Sequence, residues 1–178
     1  RCAFSAFYGQ RGSQIGWVAP SGRGYVIYPE GRDAYGNDVL GAHAKHWFRG
    51  EGGLVITLPD PWVLSAEICA RLPVLAWIPV DHEPLMPRTD SWLSDSHAIP
   101  VAMSRFGVVS MEEKGHKPLY VPHGFASRIF KPASQAERAK IRGQLNIPRD
   151  AFVVGMVAAN KGVPSRKCFA EALMAFKL

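Results

Sequence analysis

Cysteine is scarce in this chain: Cys2, Cys69 and Cys168 are the only three among 178 residues, and no two form a Cys-x-x-Cys pair. An odd count of isolated thiols argues against a disulfide framework and makes a reducing, cytoplasmic compartment the simplest expectation. No run of about 18 apolar residues occurs, so no segment reads as a membrane-spanning helix. No secretory leader pattern opens the chain. Lysine and arginine are scattered, without a block of about five, which disfavours a nucleic-acid-binding arm. Gly-x-Ser-x-Gly, Walker-type, His-Glu-x-x-His and Gly-x-Gly-x-x-Gly patterns are all missing, so hydrolase, kinase and dehydrogenase readings lose their main support. An initiator Met is lacking too, and Leu178 falls inside a helical pattern. The expectation is an interior piece of a longer protein.

The chain is rich in core-forming material. Hydrophobic residues make up 47% of it and charged residues 20%, enough apolar content for a buried core. The formal net charge of +6 suits an anionic partner such as a nucleotide or an acidic membrane face. Short strands are expected at Gly16–Ala19 and Gly24–Tyr28. Asn37 to Phe48 has helical periodicity, with Asn37 as its cap. Leu54 to Leu58 is a continuous apolar run, as in a strand covered on both faces. Asp60 followed by Pro61 opens a helix expected to reach Arg71. Further strands are expected at Val74–Val80, Ala98–Met103, Leu119–Val121 and Ala151–Ala158. Helices are expected at Ser91–Ser96, from Ser104 to Lys114, from the capping box at Ser134–Glu137 to about Asn146, and after Ser165. This alternation predicts an α/β fold built on a parallel sheet with right-handed crossovers.

Ligands of such sheets bind beyond the carboxyl ends of the strands. Asp81, His82 and Glu83 follow one strand directly; a histidine beside carboxylates suits substrate contact and proton transfer. Asp60 and Ser104 follow two others, each with a helix-capping duty as the competing reading. His123 and Gly124 mark a turn, Gly124 reading as a position that needs positive φ. Lys161, Arg166 and Lys167 gather at a strand end ahead of a helix. Cations there oppose the helix macrodipole, which points to a bound anion such as a diphosphate.

The stretch YVPHGFASRIFKP, followed by FVVGMVAANKGVPSRKCFAEALMAF, resembles the domain junction of GT-B glycosyltransferases of the large retaining family 4. The matching positions are Ser104, Gly115, Val121, Pro122, Gly124, Phe130, Pro132, Val154, Gly155 and Lys167. LVITLPDPW and PVLAWIPVDHEP resemble the N-terminal domain of the same family. The resemblance implies two Rossmann-like domains: an acceptor-side domain over residues 1–126 and the linker and start of a nucleotide-sugar-binding domain over 127–178. It implies sugar transfer with retention from a UDP- or GDP-sugar, without a metal. It puts the family's cleft histidine at His82 and its pyrophosphate-binding basic pair on Lys167 with Lys161 or Arg166. The acceptor, whether glycan, lipid or small molecule, is not specified, and peripheral contact with a membrane is compatible with the charge. Ala126 stands where the family has Asp, His123 where it has Asn, and Cys168 where it has Gly. No pair of glutamates has the spacing of the family's donor-binding pair, so the chain alone is expected to be inactive. A sugar-nucleotide epimerase and a non-catalytic scaffold module of the same fold are the alternatives.

Overall fold

The computed structural model describes residues 1–159, 162 and 165–177. It divides into two compact units, Arg1–Gly124 and Phe125–Leu178.

The first unit holds two sheets. One has three strands in the order β1-β3-β2, with β1 at Ala3–Ser5, β2 at Ile15–Val18 and β3 at Gly24–Tyr28. β2 and β3 form an antiparallel hairpin, and β1 lies parallel to β3. α1 (Asn37–Phe48) follows. The Tyr28 ring stacks on His43 of α1 at 4.6 Å, and the Tyr28 hydroxyl lies 2.6 Å from Nδ1 of His46. Ser5 reaches Nδ1 of His43 at 2.9 Å. One side of this small sheet is thus fastened to the helix.

The second sheet is wholly parallel, in the order β4-β5-β6-β7: Val55–Thr57, Val74–Ile78, Ile99–Ala102 and Leu119–Tyr120. Between the strands run a 3-10 turn at Pro61–Val63, α2 (Ala66–Cys69), α3 (Pro87–Ser96) and α4 (Arg105–Glu112). This is the α/β alternation that the sequence predicts. The two-residue period of β5 sorts its side chains: Val74, Ala76 and Ile78 are buried, and Leu75 and Trp77 lie half-buried on the other side. The buried set joins Leu64, Cys69, Leu85, Trp92, Leu93, Ala98, Ala102 and Met111 in one core. Burial pushes the Cys69 thiol up to about 11, so it behaves as a small core hydrophobe.

Several expectations are corrected. Only one face of the parallel sheet is filled: Ile56 is 64% exposed, so the apolar run around it is not covered on both sides. The helix expected from Asp60 to Arg71 is broken. Leu64 is extended, its carbonyl accepts a bond from Trp92 Nε1 at 2.7 Å, and Ser65 caps α2 afresh through the N–H of Ile68. A carbonyl bonded from α3 is not available to continue a helix. Asn37 is not the cap of α1; left-handed Gly36 is. The Asn37 side chain instead accepts from Ser65 N–H at 2.7 Å and donates to Val63 C=O at 3.0 Å, joining α1 to the break before α2. α3 begins four residues before the expected Ser91, with Pro87 as its first residue, where proline has no N–H to lose.

In the second unit α5 (Gln135–Gln144) starts with the expected capping box of Ser134 and Glu137. α6 spans Phe169–Lys177. The described residues of Ala151–Ala158 form no strand. An apolar run becomes a strand only beside a partner, and this unit has none among its described residues. Among the described residues no helix is long and apolar enough to cross a membrane.

Candidate functional site

Because β4 to β7 are parallel, their carboxyl ends share one edge, and four loops leave it side by side. After β4 comes Asp60. Its backbone carbonyl accepts from Val63 N–H at 3.2 Å, but its side chain caps nothing, contrary to the capping duty assigned from sequence. The carboxylate stands exposed.

After β5 come Asp81, His82 and Glu83, all exposed. Asp81 Oδ1 lies 2.5 Å from His82 Nδ1. When Nδ1 carries the hydrogen in this contact, Nε2 is left to accept a proton or a hydrogen bond from a ligand. The dyad is solvent-facing: the side chains of His82 and Asp81 are 58% and 82% exposed.

After β6, Ser104 caps α4, its Oγ accepting from Gly107 N–H at 3.0 Å. A Cβ on Gly107 would lie 3.3 Å from the Val80 Cβ, so the first turn of α4 packs against the exit of β5. Ser104 and the Asp81–Glu83 loop are neighbours for that reason. Arg105 adds a cation at this edge, its guanidinium 5.1 Å from the centre of the Tyr120 ring.

After β7, Val121 continues the pairing with a bond to the Ala102 carbonyl at 3.0 Å. The Trp77 indole, reaching from β5 across β6, donates to the Val121 carbonyl at 2.8 Å. It also meets the His123 ring, with centroids 4.8 Å apart. His123 is thereby tied to Trp77 of β5, the strand that leads into the Asp81–Glu83 loop. Trp77 was missed as a positioning residue. The available signal was one large aromatic with a ring N–H on the alternate face of an otherwise aliphatic strand. Gly124 is a correction: its φ is not positive, and a Cβ there would meet nothing within 4 Å.

The edge therefore gathers three carboxylates (Asp60, Asp81, Glu83), two imidazoles (His82, His123), the Ser104 hydroxyl and Arg105. It can accept and donate protons and hydrogen-bond a polyhydroxylated molecule. It is an open rim: a cleft of about 610 Å³ lies elsewhere, between α1 and α2 and lined by Gly41, Lys45, Ile68, Arg71 and Pro73. Among the described residues no three His, Cys, Asp or Glu side chains cluster tightly enough to form a metal site.

In the second unit Arg166 and Lys167 are exposed in a turn that ends before α6 begins at Phe169. Lys161 lies outside the described residues. The cations therefore precede the helix and do not occupy its first turn, so the macrodipole argument for a bound anion does not hold as stated. Ser165 does not cap α6 either. Its Oγ is buried without a hydrogen-bond partner among the described residues.

Comparisons of this chain with protein-family models, with curated proteins and with solved structures found no match.

Proposed function

We propose that this chain is part of a GT-B glycosyltransferase of the retaining family 4 type, transferring a sugar from a UDP- or GDP-sugar to an acceptor in the cytoplasm. The observation that carries the reading is the convergence of His82, its partner Asp81, Asp60, Glu83, Ser104 and His123 on the carboxyl edge of one parallel sheet. In this reading the edge is the acceptor side. His82 meets the reacting sugar, Asp81 fixes its tautomer, and the carboxylates and Ser104 hold hydroxyl groups. Arg166 and Lys167, with Lys161, bind the donor pyrophosphate and neutralise the charge that grows on it as the glycosyl bond breaks.

The basic residues carry the proposed donor site. Calorimetric titration of the full protein with UDP and GDP tests it: Lys167→Ala is expected to weaken nucleotide binding about tenfold, as loss of one charge-assisted contact does. Unchanged binding sinks the donor-site assignment. A sugar-nucleotide epimerase would use the same Asp81–Glu83 loop and would interconvert donors without any acceptor.

A further inference from the structure

The three-stranded sheet has a second side that the carboxyl-edge site does not involve. Side chains alternate across a strand. Ser5 and Tyr28 point to α1, where they meet His43 and His46. Phe4, Tyr25 and Ile27 therefore point away from it. Trp17 pairs directly with Tyr25 across the hairpin and shares that outer side, as does Ile15 opposite Ile27. The rings form a row over all three strands: Phe4 to Tyr25 at 5.6 Å and Tyr25 to Trp17 at 5.7 Å between centroids. Phe4, Trp17 and Ile15 are 50%, 47% and 43% exposed. A contiguous aromatic face left in water is characteristic of a binding surface.

The charge of this face selects its partner. Platforms for single-stranded nucleic acid combine stacking rings with cations that follow the phosphates. The strands AFS, IGWV and GYVIY contain no charged residue. Arg11 nearby is paired with Glu30 at 2.5 Å, and Arg1 with Glu51 at 3.1 Å. Arg23, exposed two residues before Tyr25 and on the same side, is a single cation at the end of the row and cannot follow a phosphate backbone. A row of flat rings, edged by the Tyr25 hydroxyl and the Trp17 indole N–H, matches a neutral molecule with apolar ring faces and hydroxyl rims. We propose that Phe4, Tyr25 and Trp17 form a stacking platform for a neutral oligosaccharide, one pyranose ring over each aromatic ring. The proposal stands independently of the transferase reading, because it uses none of the carboxyl-edge residues.

The test is titration of the whole chain with cellohexaose, maltohexaose and chitohexaose, followed by tryptophan emission and by saturation-transfer NMR. A (dT)12 oligonucleotide serves as the charged competitor. At least one hexasaccharide is expected to bind saturably, with selective broadening of the Phe4, Tyr25 and Trp17 ring protons. Trp17→Ala should weaken binding about tenfold, and Trp17→Phe should restore most of it by keeping a stacking face. The ring-proton readout on the unsubstituted chain decides the matter even where Trp17→Ala disturbs the sheet. Failure of all three sugars to bind overturns the proposal, as do tighter binding of (dT)12, binding indifferent to Trp17→Ala, or a dimer that buries the row.

Discussion

Trp92 and Trp77 each donate an indole N–H to a backbone carbonyl, at 2.7 Å to Leu64 and 2.8 Å to Val121. Replacing each by Phe removes the same bond from very different surroundings. Trp92 is 5% exposed within the core, and the Leu64 carbonyl it serves belongs to a buried residue. Trp92→Phe leaves that carbonyl unpaired away from water, at about 1–3 kcal/mol. It also removes ring atoms from a packed site, at about 0.8 kcal/mol per buried methylene equivalent. Together these give about 3 kcal/mol. Val121 is 47% exposed, so water replaces the indole when Trp77 becomes Phe. The phenyl ring keeps part of the contact with His123, and the cost stays near 1 kcal/mol or below. Urea unfolding followed by far-UV circular dichroism reads both, because the signal does not depend on the substituted indoles. With a slope of about 2 kcal/mol per molar urea, Trp92→Phe should lower the midpoint by about 1.5 M and Trp77→Phe by no more than about 0.5 M. Equal shifts would refute the argument that burial of the accepting carbonyl sets the cost. So would a shift below about 0.5 M for Trp92→Phe.

Two further perturbations follow from the same structure. Burial holds the His43 imidazole below its ordinary value of 6.5, against a smaller raising effect of Asp38 and a lowering one of His46. Folding therefore favours neutral His43. The stability it contributes is complete above pH 6.5 and is lost as the pH falls from there through the depressed folded value. The urea midpoint should drop between pH 7.5 and pH 5 and drop less in His43→Gln; identical drops would contradict this. A Cβ on Gly53 would fall 1.9 Å from the Phe48 ring, whereas one on Gly52 would meet nothing. Gly53→Ala should cost about 1–3 kcal/mol and Gly52→Ala close to nothing, measured as thermal midpoints.

Local signals were legible where one stretch of chain determines the outcome. The twelve residues Asn37–Phe48 are helical because their apolar positions repeat at helical spacing, and the Ser104 and Ser134 caps need only a backbone N–H a few residues away. The alternation in Val74–Ile78 is likewise local. Contacts from distant residues were not legible. The helix break at Leu64 depends on an indole 28 residues further along the chain, and the position of His123 depends on Trp77 of another strand. Residues Ala151–Ala158 have strand-like composition, but composition does not reveal whether a neighbouring strand is there to pair with. For the candidate site, the loops holding Asp60, Asp81–Glu83, Ser104 and His123 were readable from strand ends alone. Which of their side chains are occupied was not: Asp60 does no capping, while Ser104 does.

On the proposed function, His82 and its neighbours serve sugar transfer from a nucleotide donor. Product analysis after incubating the full protein with a panel of UDP- and GDP-hexoses and candidate glycan and lipid acceptors decides the matter. The reading predicts a glycoside whose anomeric configuration matches that of the donor, and a fall in turnover of at least about a hundredfold in His82→Ala, as loss of a proton-transfer group produces. Interconversion of the donor sugar without an acceptor, an inverted product, or turnover indifferent to His82→Ala would contradict it.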